Sequence, residues 1–454
     1  MDEKMSVTES LAKFIKTQTF DGLPGPVVDK AKTCVFHALA CSLNGHHLPW
    51  SQAAINYLKD LNVKGDGTTI LDGLKAPPPD AAFVNSVLGC STVGEDQHLP
   101  SASHPGSMVI PAALAVGEQS NCTGKEFLAA VVIGYEVLTR IGMSVMSLEF
   151  NNKYRPSSVF GPYGTCATSS RLFGLDEQQT VNSLGMAGSM SMGFQECFTE
   201  GTDEFYFQNG FATSSGIRAA MLGRKGINAS KRIVEGPAGY WAAYQRQPAA
   251  DNITTGLGQS FEILKIYYKP VPACALVQTA VALAHRMTKD RAINPEDIGK
   301  IEIGTFQAAK NYPGLDNTGP FKSMTTAKLS LQYGVAAAVA SKELNQSIYD
   351  RFEDPLVNKI ASNSSVKVDD EIEKQFSQTF QQGCRINITM RDKSVISDTQ
   401  KDVVPLSDTQ VEDNFRTLTR RLIGDKQAEE MVEKIKNLEK VENIRELTKL
   451  LVKK

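Results

Sequence analysis

The sequence lacks the charge excess, the apolar runs and the leader pattern of several protein classes. Lys and Arg total 48 against 50 Asp and Glu, a balance that points to neither nucleic acid nor an anionic membrane as a partner. No apolar run approaches the roughly 18–20 residues that a membrane span needs. The N-terminal stretch MDEKMSVTESLAKF lacks the basic region and apolar core of a secretory signal. We therefore expect a cytoplasmic protein that acts on a small molecule.

Short motifs of common catalytic sites are also missing. The chain has no Gly-x-Gly-x-x-Gly between a strand and a helix, no Walker loop, no Gly-x-Ser-x-Gly and no His-Glu-x-x-His. Its eight cysteines form no Cys-x-x-Cys and no zinc-finger spacing, which predicts buried thiols rather than disulfides or metal ligands. Nucleotide-binding, metalloprotease and serine-hydrolase functions therefore have little support.

Helical patterns fill the first 250 residues. Ser6 and Glu9 form a capping box ahead of an apolar stripe, and residues 124–146 are apolar almost all round, as in an interior helix. Residues 163–175 and 211–222 are rich in Gly, Ala, Ser and Thr. Small side chains let helix axes approach closely, so we predict tightly packed core helices there.

Strand patterns begin after about residue 262. Residues 299–306 and 384–392 alternate with β-branched side chains, and residues 394–400 offer a return strand. Helices are predicted between them, near 275–287 and 325–344.

The chain returns to amphipathic helices from Ser407. We predict a mainly α fold with an α+β part: an all-helical domain of residues 1–264 and 403–454, and an inserted α+β lid domain of residues 265–402.

The loop of residues 94–106, GEDQHLPSASHPG, concentrates polar side chains in an otherwise apolar half. It contains Glu95, Asp96, Gln97, His98 and His104. Because imidazole titrates near neutral pH, His104 is a candidate for moving a proton at a carbon beside a carboxyl group. The alternative is that Ser103 and His104 only cap the helix that begins at Pro105.

Two cations are candidates for binding an anionic ligand. Lys269 precedes two prolines and the start of a helix, a place that suits an anion. Arg155 precedes Pro156, and its planar guanidinium can bind a carboxylate with two hydrogen bonds. From composition alone, an exposed, solvated side chain is the more common interpretation of each.

Several stretches together resemble the MmgE/PrpD family, and they follow the family's order along most of the chain. They are DAAFVNSVLG (80–89), SHPGSMVIPAALAVGE (103–118), GKEFLAAVVIGYEVLTRIG (124–142), FGPYGTCATSSRLFGL (160–175), NGFATSSGIRAAMLGRKG (209–226), KIYYKPVPAC (265–274) and TTAKLSLQYGVAAAV (325–339). The family includes 2-methylcitrate dehydratases, cis-aconitate decarboxylases and iminodisuccinate epimerases. The resemblance implies an all-α domain with a smaller α+β lid, a homodimer, and a site between the domains without metal or organic cofactor.

The resemblance also implies site residues. His104 lies where similar enzymes carry the histidine of a His-Pro motif, and Lys269 matches their lysine just ahead of the lid. Asp96 is the last acid of their Asp-x-Asp-Asp run, which here reads Val93-Gly94-Glu95-Asp96. Tyr312 corresponds to a site tyrosine of the decarboxylases.

This chain departs from the family pattern at four positions. Val93 replaces the first acid of the run, Arg155 and Gln278 stand where many members carry histidines, and Phe205 stands where a lysine is expected. A charged hydrogen bond is worth roughly 1.5–3 kcal/mol, so such changes alter substrate selectivity. We expect neither a standard methylcitrate dehydratase nor a standard cis-aconitate decarboxylase.

The expected function is therefore a cofactor-independent lyase, a hydro-lyase or a decarboxylase, acting on a small di- or tricarboxylate. His104 would transfer the proton, with Asp96 orienting it or sharing that work, and Lys269 would be the third catalytic residue. The expected substrate-binding residues are Arg155, Tyr312, Gln97 and Gln278. Two alternatives stay open: an epimerase or isomerase of a related dicarboxylate, and a non-catalytic binding or scaffold protein.

Overall fold

Helices form most of the structure, a computed structural model that describes residues 5–453. The helices before residue 265 are α1 Val7–Thr17, α2 Gly25–Gly45, α3 Pro49–Leu61, α4 Pro78–Cys90, α5 Gly106–Ser120, α6 Gly124–Met143, α7 Leu148–Lys153, α8 Pro156–Leu172, α9 Glu177–Ser189, α10 Glu196–Glu200, α11 Glu204–Arg224, α12 Tyr240–Ala243 and α13 Ala250–Thr254. The later helices are α14 Gln278–Thr288, α15 Gln307–Lys310, α16 Met324–Leu329, α17 Leu331–Ser341, α18 Ser347–Asp350, α19 Pro355–Ser362, α20 Asp370–Thr379, α21 Asp408–Ile423, α22 Asp425–Lys436 and α23 Arg445–Thr448. The prediction of a mainly helical fold is confirmed.

Local sequence explains where the first helices begin and how closely they pack. The Ser6 hydroxyl accepts a hydrogen bond from the Glu9 amide, and the Glu9 carboxylate accepts one from the Ser6 amide, so the predicted capping box is present. Helix α6 is buried along almost its whole length. At Gly134 its backbone lies against Thr168 of α8, and a Cβ would collide with that hydroxyl. Small residues thus allow the close approach that the sequence predicted.

A four-stranded sheet lies in the segment 265–402. Four two-residue strands come first along the chain: β1 Gly67–Thr68, β2 Lys75–Ala76, β3 Gln97–His98 and β4 Ile266–Tyr267. The sheet consists of β5 Ile298–Thr305, β6 Ser364–Val368, β7 Cys384–Met390 and β8 Val395–Gln400, in the order β6-β5-β7-β8. β5 pairs antiparallel with β7 and parallel with β6, a strand that sequence analysis did not predict. The two strands predicted at 299–306 and 384–392 and the return strand are confirmed.

The predicted helix near 325–344 is two helices, because Ser330 interrupts it. The Ser330 residue has extended backbone geometry, and its hydroxyl accepts a hydrogen bond from the Tyr333 amide, which caps the start of α17. The helix expected at 275–287 begins with a short 3₁₀ turn and continues as α14.

The C-terminal residues pack on the N-terminal helices. Phe415 of α21 contacts Phe36 of α2, with ring centroids 5.2 Å apart. The Gly124 amide donates to the Val441 carbonyl over 2.8 Å, and the Thr448 hydroxyl donates to Glu118 over 2.7 Å. These contacts favour the predicted division into 1–264 with 403–454 and 265–402, which stays a prediction.

One small strand pair attaches the polar loop to the segment that carries Lys269. β3 and β4 run antiparallel, with Gln97 opposite Tyr267 and His98 opposite Ile266. The loop of residues 94–106 is thereby held beside the start of the 265–402 segment. Within residues 5–453, no helix has the length and apolar character to cross a membrane.

Candidate active site

A cavity of about 990 Å³ lies between the helical part and the segment 265–402. Five of the seven predicted site residues line it: His104, Lys269, Arg155, Gln97 and Tyr312. The other two, Asp96 and Gln278, do not line it. Residues 5–453 contain no group of three His, Cys, Asp or Glu side chains placed to hold a metal ion.

His104 presents a free ring nitrogen to this cavity. Its Nδ1 lies 2.8 Å from the backbone oxygen of Asp96, and because a carbonyl oxygen only accepts, Nδ1 carries the proton. Nε2 then keeps its lone pair and has no hydrogen-bond partner among residues 5–453. Burial, together with the nearby charge of Lys269, lowers the pKa of His104 to about 3. The side chain is therefore a neutral imidazole whose Nε2 carries a lone pair.

Asp96 holds the loop in place with its carboxylate. One oxygen accepts from the Gly106 amide at the start of α5 over 2.9 Å, and the other accepts from the Tyr135 hydroxyl over 2.7 Å. Burial raises the pKa of the Asp96 carboxyl to about 6. It is thus the backbone carbonyl of Asp96, not its carboxylate, that contacts His104.

Arg155 is a buried cation without a carboxylate partner. It is the residue before α8 and is 5% exposed. No ion pair of Arg155 occurs within the described part of the chain, and its Nε has no hydrogen-bond partner there. Phe205 lies flat below the guanidinium, with the ring centroid 4.0 Å away. The phenylalanine that replaces an expected lysine therefore supports the arginine that replaces an expected histidine.

Burying an unpaired charge costs several kcal/mol, so such a group favours an anionic partner. A ligand carboxylate is the group that its planar donors fit best.

Lys269 lies between a backbone oxygen and a buried acid. Its Nζ donates to the Val93 carbonyl over 2.9 Å and lies 3.8 Å from Oε2 of Glu95. Burial opposes the charge of Glu95, but the positive charge of Lys269 keeps its pKa below the ordinary value. Val93 has φ of 60°, a backbone geometry that is strained for a β-branched residue. Where the resemblance implies an acid, this chain thus supplies a main-chain oxygen.

The remaining predicted residues differ in their access to the cavity. Tyr312 accepts a hydrogen bond from the Gln195 amide over 2.9 Å, and burial raises the pKa of its phenol. Gln97 has a buried amide oxygen without a partner in the described structure. Gln278 uses its amide on the backbone of Val271, Ala273 and Cys274. It holds the turn after Lys269 in shape and does not reach the cavity.

Sequence reasoning missed Lys328, which also lines the cavity. Its ammonium donates to the carbonyls of Thr92 and Pro272 over 2.5 and 2.8 Å and to Oε1 of Gln346 over 2.7 Å. Burial lowers the pKa of Lys328 to about 7. The residue joins the loop before Glu95 to the turn after Lys269. A single lysine in a helical pattern carries no signal of such a role.

Two family models match almost the whole chain. The MmgE/PrpD N-terminal domain matches residues 9–252, and the MmgE/PrpD C-terminal domain matches residues 271–440. The chain belongs to the MmgE/PrpD family. The family prediction made from the sequence is confirmed.

Relatives within this family are cis-aconitate decarboxylases. The enzyme of Aspergillus terreus (strain NIH 2624 / FGSC A1156) is 23% identical over 475 residues, which cover 99% of this chain and 96% of the relative. The human enzyme is 24% identical over 468 residues, covering 98% and 94%. A cis-aconitate decarboxylase-like protein of Aspergillus oryzae is 24% identical over 477 residues, covering 98% and 97%. The relationship is full-length and distant.

Proposed function

We propose that this MmgE/PrpD-family protein is a lyase, a hydro-lyase or a decarboxylase, that moves a proton at a carbon beside a carboxylate of a small di- or tricarboxylate. One observation carries the proposal: the free Nε2 of neutral His104 and the guanidinium of Arg155, which contacts Cys90 Sγ but forms no ion pair within residues 5–453, line the same cavity. A base and a cation that can bind a carboxylate are the two requirements of such chemistry.

Arg155 and Lys269 bind carboxylates of the substrate and place one C–H bond against Nε2 of His104. In the dehydration direction the proton passes from carbon to Nε2, the carbon–carbon double bond forms, and the hydroxyl on the next carbon leaves as hydroxide. The hydroxide takes up a proton from solvent to give water, and Nε2 returns its proton to solvent. The negative charge that develops on the carboxylate lies beside the Lys269 ammonium, which stabilises it.

Decarboxylation uses the same groups in the opposite sense. The carbon–carbon bond to the leaving carboxylate breaks, carbon dioxide departs, and the resulting carbanion takes a proton from protonated His104. Since an anionic substrate raises the pKa of a neighbouring histidine, binding itself helps to load that proton. The names of the relatives make cis-aconitate the first substrate to test.

The proposal extends to the arrangement of the protein. Residues 265–402 would act as a lid over the helical domain formed by residues 1–264 and 403–454, and the protein would be a cytoplasmic homodimer that needs no cofactor. The position of the cavity between these two parts of the chain supports the lid.

The test supplies cis-aconitate, 2-methylcitrate and iminodisuccinate in D₂O and follows turnover and deuterium incorporation by NMR. We expect turnover or exchange with at least one of them, and a loss of about 10²–10⁴-fold in His104→Ala. His47→Ala is the matched control, because His47 is exposed and does not line the cavity. Absence of both turnover and exchange, with enzyme near the substrate concentration, would leave the non-catalytic alternative.

A further inference from the structure

The cavity is large for the ligand that its charged groups would hold. Pockets of about 300–1,000 Å³ enclose drug-sized molecules, and this one measures about 990 Å³. A molecule the size of cis-aconitate would leave much of that space unfilled. The residues that line the remaining space indicate which chemical group would fill it.

The cationic groups lie at the buried inner end, and the acid Glu373 is the one charged side chain of the described chain that lines the rest of the cavity. Arg155 and Lys269 are 5% and 4% exposed, and they are the two cations there with donors not fully used by the protein. Lys328 already donates to three protein oxygens. Two available cations match two carboxylates. No third cation of the described chain lines the rest of the cavity.

The rest of the cavity is lined mostly by apolar side chains. Helix α6 and the turn after it contribute Met143 and Met146, and the segment 265–402 contributes Leu276, Phe306 and Phe376. Phe306 and Phe376 stack with ring centroids 4.1 Å apart. A carboxylate placed along this wall would lose its hydration without gaining a partner.

The apolar wall continues to the surface. Leu99, Leu148 and Phe380 line the cavity and are 45%, 60% and 73% exposed. Contiguous apolar side chains left open to solvent are typical of a binding groove. Apolar side chains thus extend from the carboxylate-binding end to the mouth, with a few polar side chains such as Asn151, Gln307 and Gln382 among them.

We propose that the substrate is a dicarboxylate that carries a long apolar substituent, with the two carboxylates at Arg155 and Lys269 and an alkyl chain along the wall toward Phe380. This inference rests on the proposed function, because the carboxylate end is the proposed reaction site. In such a substrate a hydrocarbon chain takes the place of the third carboxylate of a tricarboxylate.

The test measures dissociation constants by calorimetry for succinate and for methyl-, butyl- and octylsuccinate, which have the head group but no leaving group. Each methylene that enters the wall tightens binding about two- to fourfold, so octylsuccinate binds at least a hundredfold tighter than methylsuccinate. Octanoate, with a similar chain and one carboxylate, binds much more weakly than octylsuccinate.

Substitutions at the mouth of the cavity distinguish binding along the apolar wall from non-specific hydrophobic binding. Phe380→Ser and Leu148→Asn reduce the ratio of the dissociation constants of methylsuccinate and octylsuccinate. Both positions are exposed enough for the variants to fold. Phe211→Ser is the matched control, since Phe211 is 63% exposed and lies outside the cavity. It keeps the ratio of the unmodified protein.

Three outcomes would overturn the inference. Succinates that bind equally at every chain length would refute the apolar substituent and leave the proposed function standing. Octanoate as tight as octylsuccinate would refute the dicarboxylate head. Rim substitutions that change the ratio no more than Phe211→Ser would refute the path of the chain. If no succinate binds at all, the inference is refuted, and the turnover experiment decides the proposed function independently.

Discussion

Two neighbouring regions each bury one histidine and one arginine, and they treat them in opposite ways. In the first, the structural cluster of His98, Glu136, Arg140 and Glu262, every charged donor has an acceptor. His98 bonds the Ser101 hydroxyl over 2.8 Å and Glu262 over 3.1 Å. Arg140 donates to Glu136 and to the carbonyl oxygens of residues 253, 255, 256 and 260.

In the second region, the cavity wall of His104, Arg155 and Lys269, polar groups are left open. His104 uses one nitrogen on the Asp96 carbonyl and leaves the other free, and Arg155 has an unbonded Nε. Buried polar groups in folded proteins are nearly always satisfied. The two regions thus contain the same residue types and differ in whether the protein itself satisfies their hydrogen-bonding groups.

Removing the arginine of the structural cluster is expected to have the largest effect on stability. Arg140→Met leaves Glu136 and several backbone carbonyls without their donor, and breaking a buried pair in this way costs about 3–5 kcal/mol. Urea unfolding at pH 8 measures the free energy of unfolding. A variant as stable as the unmodified protein would break the comparison, because the cluster would then not be structural.

The same substitution in the cavity wall is expected to act on binding. Arg155→Met removes an unpaired buried charge and keeps a side chain that can contact Phe205, so the free energy of unfolding stays equal or rises. The loss of one charged hydrogen bond weakens carboxylate binding by about 1.5–3 kcal/mol, or roughly 10- to 150-fold in KM. A large loss of stability with unchanged KM would place Arg155 with the structural cluster.

Sequence patterns predicted the parts of the fold that local rules determine. The capping box at Ser6 and the β-branched alternation at 299–306 depend on near neighbours, and both are present. Strand β6 was missed because it is short and its pairing with β5 joins residues far apart in the chain. The break at Ser330 was missed because serine in an apolar helical pattern can either cap a helix or lie within it.

The candidate site divides in the same way. His104, Lys269 and Arg155 came from motifs and from the family resemblance, and the structure places them around one cavity. Lys328 and the Phe205 support of Arg155 depend on contacts between distant segments, which no spacing reveals. Gln278 was assigned to the substrate, whereas its amide contacts only backbone groups.

The stability of the protein at acidic pH should reveal the buried, neutral state of His104. The pKa of His104 is lowered by burial to about 3 in the folded protein, against about 6.5 in an unfolded chain. The folded state therefore binds fewer protons between these values, and stability falls as pH drops below 6.5, by up to about 1.4 kcal/mol for each pH unit.

Replacing the imidazole removes this contribution. His104→Asn is expected to show a flatter loss of stability between pH 6.5 and 4, measured by urea unfolding at each pH. Asp96 acts in the opposite direction, because burial raises its pKa to about 6 and stability is lost as pH rises through that value. Asp96→Asn should therefore steepen the acid loss, and equal slopes in all three proteins would contradict the assigned protonation states.

The smallest expected effect concerns Ala102, in the loop that joins His98 to His104. Ala102 lies between them with φ of 46°, a left-handed geometry that costs an L-residue about 1–2 kcal/mol. Ala102→Gly removes this strain and adds about 0.5–1 kcal/mol of chain entropy to the unfolded state, so stability should rise by up to about 1 kcal/mol. Ala53→Gly, on the exposed face of α3, is the matched control and should lower stability by about 1 kcal/mol. A severalfold loss of kcat in a more stable Ala102→Gly protein would show that the strained backbone at Ala102 positions His104 against the substrate. The geometry of the cavity wall would then depend on the structural cluster.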